Sequence, residues 1–354
     1  MSKKDISRRS FLKRSSTGIG LGVVGASGLG TVSLSCAKSI RRLPREVWVA
    51  SICLKGLWPE QTIEKRIKDI FNRMESVIAF EPDIICLPET FPNSWVNERK
   101  SLADLAEDEK VPGPITSQFA EYAKKHKCYI VCSLLTKKDE HFYNSAIIID
   151  RMGGIVGTFN KVHPVSTEIR PKVYYQGGGV TPGPIRPPVF KTDFGTIGVQ
   201  ICYDAAWLES WKHLKKDGAE IVFFPSQASY VGLLRHHAWL NHYYIVSSTG
   251  EDARIFDISG DEVASDGQFA RWVCAPINLE KAFVHIWPQV RKFDAVQKKY
   301  GRKIRIKIWH PENWATIESL DPNVKVLNVL KEFDLPTYDE QINEATEVQS
   351  KFRV

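Results

Sequence analysis

The chain has 354 residues, 43% of them hydrophobic and 25% charged, with a net charge of +7. That is enough for one large α/β domain or two ordinary ones. The charge is uneven: residues 1–35 carry Lys3, Lys4, Arg8, Arg9, Lys13 and Arg14 against Asp5, which leaves the remainder at +2 and removes the main support for nucleic-acid binding.

Residues 1–36 read as a leader. Ser7-Arg8-Arg9-Ser10-Phe11-Leu12-Lys13 is the pattern of a twin-arginine export signal. The Gly-rich, weakly apolar run 18–34 suits a signal h-region better than a membrane span, because Gly, Ser and Thr dilute it. Ser33-Leu34-Ser35-Cys36 is a candidate lipoprotein processing site, with a small residue before the cysteine but Ser33 where an aliphatic residue is usual. The expectation is export, to the periplasm or to a membrane tether through a lipidated Cys36 that needs no transmembrane helix. No later segment has the length and purity of a span. The chain has seven cysteines. Cys53, Cys86, Cys128 and Cys132 lie in apolar runs, where a small buried hydrophobe is the default. Cys128 and Cys132 lack a second metal-ligand pair, so no metal is expected.

After the leader, residues 46–53 read as a first strand. Residues 61–80 have helical spacing, with Ile63, Ile67, Ile70, Met74 and Val77 on one stripe. A short apolar strand, 83–87, is stopped by Pro88-Glu89-Thr90. A helix over 115–125, strands over 129–135 and 144–150, and a turn at Arg151-Met152-Gly153-Gly154 into 155–159 follow. Residues 161–188 form a long Pro/Gly-rich loop, and loops of that length usually have a task. In 196–201, Ile197, Val199 and Ile201 alternate with Thr196, Gly198 and Gln200, a period of two. Residues 205–216 then read as a helix with Asp204 as its N-cap. Segments 220–224, 233–241 and 243–248, a hairpin about Ser259-Gly260 and a strand over 271–279 complete the series. Strands alternating with helices argue for sheets covered on their outer faces by helices. From residue 281 the composition changes: 281–308 holds nine Lys/Arg against Asp294. This is expected to be a solvated helix plus a strand, with contact to an acidic partner or anionic membrane surface as the alternative. Residues 337–353 look like a polar terminal helix that packs on a second subunit, so a homo-oligomer is expected.

Three strand ends carry reactive side chains. Cys202 ends the 196–201 strand and is expected to face a helix N-terminus, whose free amides favour a thiolate and an oxyanion. A buried structural cysteine is the bland alternative. Glu89 ends an apolar strand, where burial suits a carboxylate to proton transfer. Lys161 ends another strand beside the long loop. Glu89 or Lys161 alone is more simply a surface residue at a strand end. Three together, in the order Glu, Lys, Cys, are harder to dismiss.

Those residues carry a resemblance. Leu87-Pro88-Glu89, Asn160-Lys161-Val162-His163 and Ile201-Cys202-Tyr203-Asp204 resemble the nitrilase superfamily of carbon–nitrogen hydrolases. So do Tyr143-Asn144-Ser145-Ala146 and the hairpin Ile258-Ser259-Gly260-Asp261-Glu262-Val263. The resemblance covers about residues 46–280, with 281–354 as a C-terminal extension. It implies an α/β fold, a four-layer α-β-β-α sandwich. It implies Cys202 as nucleophile, Glu89 as general base, and Lys161 with the Tyr203 backbone amide as oxyanion donors. Glu168 would orient substrate or Lys161, and no cofactor would be needed. The implied reaction converts a small-molecule amide or carbamoyl amine to a carboxylate through a thioester. Action on a nitrile is the alternative, and an exported binding protein on the same fold is the rival of another class.

The chemistry is self-consistent. A thiol near its ordinary pKa of about 8.5 needs a base or a positive field at neutral pH, and Glu89 and Lys161 supply both. One departure stands out: where many members carry an arginine after Cys-Tyr-Asp, this chain has Ala206-Trp207-Leu208-Glu209. Trp95 and Trp207 lie close to the motifs and are candidates for an apolar pocket, with core packing an equal account of either. A Cys–His hydrolase would instead pair Cys202 with His163 or His213.

Overall fold

The computed structural model describes residues 43–57, 62–96, 100–170 and 179–354. The leader, with its twin-arginine motif and Cys36, lies outside them. The elements in chain order begin with β1 (Glu46–Ile52), α1 (Ile63–Ile78), β2 (Ile84–Cys86), α2 (Leu102–Leu105), β3 (Glu107–Asp108) and α3 (Pro114–His126). Then come β4 (Tyr129–Lys138), β5 (His141–Ile149), β6 (Ile155–Asn160), α4 (Ser166–Ile169), β7 (Phe190–Lys191) and β8 (Thr196–Val199). After a 3-10 turn at Cys202–Ala206 follow α5 (Glu209–Lys216), β9 (Ile221–Pro225), α6 (Val231–Asn241), β10 (Tyr244–Ser248), β11 (Ala253–Phe256), β12 (Glu262–Asp266) and β13 (Trp272–Asn278). The chain ends with β14 (Lys281–His285), α7 (Val290–Tyr300), β15 (Ile304–Trp309), β16 (Trp314–Ser319), α8 (Val326–Glu332) and α9 (Tyr338–Ser350).

The four expected layers are present. One sheet runs β13-β1-β2-β4-β5-β6, with β3 beside β4, and a second runs β12-β11-β10-β9-β8-β7. Period-two patterning decides what each face meets. Val47 and Val49 of β1, Val131 of β4 and Ile148 of β5 pack against Ile197, Val199, Phe223 and Val246 of the second sheet. Ala50, Ile52, Ile130 and Ile147 turn the other way, onto Ile67, Ile70, Met74 and Val77 of α1 and Phe119 and Ala123 of α3. On the far side, Val222, Phe224 and Ile245 pack against Trp211 and Leu214 of α5 and Leu234 and Ala238 of α6. The inner strands β2, β8 and β9 are buried on both faces, as strands between layers must be.

One expectation is corrected. The helix expected over 205–216 starts only at Glu209, after the 3-10 turn and exposed Trp207 and Leu208. Asp204 does not cap it: its Oδ2 accepts from the Ile201 N–H at 2.9 Å and its Oδ1 from the His163 N–H at 2.7 Å. A carboxylate used in that way is not available to a downstream helix. The tail holds the expected helix and strand, α7 and a largely exposed β15. Residues 281–319 build an antiparallel sheet, β14-β16-β15, with its own core of Val284, Phe293, Val296, Ile317, Val329 and Leu330. Seven of the nine basic residues there pair with acids of the chain itself, among them Lys281 with Asp257, Arg305 with Glu318 and Lys307 with Asp261. An acidic partner is not needed to explain the charge.

Candidate active site

Glu89 follows β2 by three residues. Leu87 still pairs with Val131 of β4, and Thr90 then takes a φ of +39°, which ends the strand run. Beyond it, the fully buried guanidinium of Arg66 on α1 donates to the carbonyls of Phe91 and Ser94 at 3.2 and 2.7 Å. That tie sets the path of the chain around Glu89. Lys161 sits one residue past β6. Its N–H bonds to the Asn144 carbonyl of β5, and its carbonyl accepts from Gly183. A Cβ at Gly183 would lie 2.2 Å from the Asn160 carbonyl oxygen, so only glycine lets the long loop close on this strand end. The loop also contains α4, which presents Glu168.

These side chains converge in a buried cluster. Lys161, 2% exposed, places Nζ 2.8 Å from Glu89 Oε1 and 2.9 Å from Glu168 Oε2. Asn144 Nδ2 bridges the same carboxylates, at 2.8 Å to Glu89 and 2.9 Å to Glu168. The Val165 N–H donates to Glu168 Oε2 at 2.9 Å, and the Gln227 N–H to Glu89 Oε2 at 3.1 Å. Two carboxylates against one ammonium leave the cluster with a net charge of −1 when ionised. Burial alone would lower the pKa of Lys161, but the negative charges of Glu89 and Glu168 outweigh it and hold the group protonated.

Cys202 opens the 3-10 turn with a φ of +50°, a left-handed backbone that a non-glycine residue adopts at a cost of about 1–2 kcal/mol. Thr90, Trp95 and Tyr230 share that region around the site. Strain of this kind gathers where side-chain placement matters more than local stability. The thiol is pushed up to about 12: burial and the Glu89 charge raise it, and the opposing pull of Lys161, the Gln227 backbone and the Ser226 hydroxyl is weaker. The resting group is therefore a thiol, and it opens a 3-10 turn rather than facing the N-terminus of the helix expected at 205.

The remaining sequence candidates take definite places. Tyr203 is exposed beside Cys202, its ring edge-on to Trp207 at 4.9 Å. Trp207 stacks on His163 at 4.0 Å with the rings parallel to within 1°. Trp95 is 65% exposed, and its indole N–H donates to Gln227 Oε1 at 3.1 Å. Neither tryptophan is a core residue; both stand at the surface near the site. His163 Nδ1 lies 3.1 Å from Asp204, and His213 pairs with Glu209 one turn away on α5. Sequence reasoning missed Asn144, Ser226, Gln227 and Tyr230 as site residues. Asn144 was within a quoted motif. The other three lie on one loop whose only signal is Pro225, at the end of a strand next to that of Cys202.

A family model described as carbon-nitrogen hydrolase matches residues 54–280. The chain is 30% identical over 270 residues to a β-ureidopropionase of Arabidopsis thaliana, covering 69% of this chain and 63% of that one. It is 30% identical over 146 residues to an N-carbamoylputrescine amidase of Oryza sativa, covering 41% and 47%. The matches thus span less than two thirds of these relatives' own lengths. Among solved structures, Saccharomyces cerevisiae Nit3 superposes with a TM-score of 0.57 at 19% identity, covering 73% of this chain and 96% of that one. An amidase from Nesterenkonia sp. does so with 0.55 at 16% identity, covering 66% and 90%. At those identities the superpositions speak for the fold.

Proposed function

The chain belongs to the carbon–nitrogen hydrolases, and from that premise we propose that it hydrolyses the C–N bond of a small non-peptide amide or carbamoyl amine through a thioester on Cys202. The observation that carries the reading is the buried Glu89–Lys161–Glu168 cluster beside a cysteine held in a strained turn. Because the resting thiol is neutral, its proton passes to Glu89 as the sulfur attacks the carbonyl carbon. The oxyanion that forms is met by Lys161 Nζ and the Tyr203 backbone N–H. Glu89 returns the proton to the departing nitrogen, and ammonia or an amine leaves. Glu89 then deprotonates water, which attacks the thioester and restores the thiol. Glu168 and Asn144 fix Lys161 and Glu89 and take no proton. Trp95 and Trp207 form an apolar rim to the pocket.

The same proposal includes the cell-level reading. The twin-arginine motif exports the folded chain, Cys36 tethers it to the membrane when lipidated, residues 46–280 are the hydrolase domain, and the 281–354 extension makes homo-oligomer contacts. In support of the last point, α9 buries none of its residues in the monomer.

The test is intact-protein mass spectrometry after incubation with panels of amides, carbamoyl amines and nitriles. A thioester adduct on the wild type or Glu89→Gln, absent from Cys202→Ala, is expected with an amide or carbamoyl amine. Adducts from nitriles alone would transfer the reading to nitrilase chemistry. Hydrolysis by Cys202→Ala at the wild-type rate would end it.

A further inference from the structure

Cys202 and Lys161 stand on different sheets: Cys202 follows β8 of the second, and Lys161 follows β6 of the first. Between the sheets lies the apolar core that includes Val131, Ile148, Ile197 and Val199. Apolar burial is non-directional, so it holds the layers together without fixing where one strand end stands against another. Directional bonds have to do that, and one buried carboxylate supplies them. Asp204 is fully buried and lies two residues past Cys202. Its Oδ2 accepts from the N–H of Ile201, the residue before Cys202, at 2.9 Å. Its Oδ1 accepts from the N–H of His163, two residues past Lys161, at 2.7 Å, and lies 3.1 Å from Nδ1 of the same histidine. The Asp204 backbone is fixed in turn. Its N–H donates to the Ile201 carbonyl at 3.0 Å, and its carbonyl accepts from the Trp211 indole N–H at 2.9 Å. Trp207, at the end of the same turn, adds a second contact by stacking on His163 at 4.0 Å.

We propose that Asp204 is a positioning residue: it bridges the two sheets and sets the Cys202 sulfur against the Lys161 ammonium, so that the oxyanion forms within reach of both its donors. The proposal rests on Cys202 being the nucleophile and on Lys161 and the Tyr203 N–H being those donors. Tyr203 lies between Cys202 and Asp204 in the chain, so the same anchor that holds the sulfur also holds the second donor. The residue type fits the task. The groups on either side, the Ile201 and His163 N–H, are both donors, so both side-chain oxygens must accept. A carboxylate offers two acceptors; an asparagine of the same size offers one and turns its NH2 on the other donor. Burying the charge is costly, and the charge-assisted bonds from backbone N–H groups offset that cost.

The test compares two reactions of the Cys202 sulfur in the full chain. With p-nitrophenyl acetate a C–S bond forms, the thiol proton passes to Glu89 and p-nitrophenolate leaves, and negative charge develops on the carbonyl oxygen on the way. With iodoacetamide the sulfur displaces iodide and no oxyanion forms. Acylation is read as the burst of p-nitrophenolate with Cys202→Ala as the blank, and alkylation by peptide mass spectrometry across a range of pH. Asp204→Asn is expected to slow acylation by about 100-fold and alkylation by no more than about threefold, the scale of moving reacting groups apart by about 1 Å. Asp204→Glu keeps the charge on a longer arm; it should act in the same direction and serves where Asp204→Asn does not fold. Equal slowing of both reactions, the mark of a general loss of packing, overturns the proposal, as does acylation at the wild-type rate. A failure of the amidase reading would show separately, as a wild type that is acylated on Cys202 by the ester but hydrolyses no amide or carbamoyl amine.

Discussion

Replacing Lys161 with methionine tests the logic of the cluster without reference to turnover. Glu89 Oε1 and Glu168 Oε2 sit on one ammonium at 2.8 and 2.9 Å, so the two oxygens are at most about 5.7 Å apart. Both carboxylates are buried, at 3% and 7% exposure. At an effective dielectric of about 20, two unit charges at that separation repel by about 3 kcal/mol. Losing one partner of a buried ion pair costs about 3–5 kcal/mol, so Lys161→Met should lose stability on that scale. Glu168→Gln in the wild-type background removes a charged hydrogen bond and should cost about 1–2 kcal/mol. In the Lys161→Met background the same change removes the repulsion, and the double variant should be about 2 kcal/mol more stable than Lys161→Met. Urea unfolding of the four proteins closes the cycle. The reasoning is refuted if Glu168→Gln destabilises both backgrounds equally.

Three further outcomes are expected. Glu89→Gln removes a charge that, after burial, pushes the Cys202 thiol up to about 12. Its alkylation profile should therefore move to lower pH while hydrolysis falls by about 100-fold or more, since the proton acceptor is gone; a profile moving upward would contradict the assignment. Burial would raise the Asp339 carboxyl, but His242 and Lys215 hold it at about 2, below its ordinary 3.8. Stability from such a depressed carboxyl is present above its unfolded value and lost as pH falls through the folded one. Melting temperatures from pH 4 to 2 should thus fall more steeply for wild type than for Asp339→Asn, by a small margin because the side chain is 46% exposed. Parallel curves would count against the contact. Arg66→Ala strips donors from the carbonyls of Leu57, Phe91 and Ser94 and should cost about 3 kcal/mol in urea unfolding, with Arg66→Lys recovering only part because one ammonium cannot fork. Full recovery by lysine would show that charge alone matters there.

What could be read from the sequence was local. The period-two alternation of residues 196–201 and the helical stripe Ile63, Ile67, Ile70, Met74 and Val77 mark their elements because side-chain direction repeats within a few residues. Glu89, Lys161 and Cys202 were legible as residues ending strands, and their motifs supplied the family. The tertiary structure decided the rest. Asp204 looked like a helix cap, but its two oxygens are taken by Ile201 and His163, the second of these 41 residues away. The basic run after residue 281 read as a solvated helix and strand, but the acids that pair with three of its members, Asp257, Asp261 and Glu318, come from the turn between β11 and β12 and from β16. Gln227 carries no motif, and only the folding of the loop after β9 onto the end of β2 brings it to Glu89. A strand's pattern depends on its own neighbours in the chain. A buried charge, a raised thiol pKa and a shared ammonium depend on groups that meet only after the sheets have paired, and no spacing in the sequence encodes those distances.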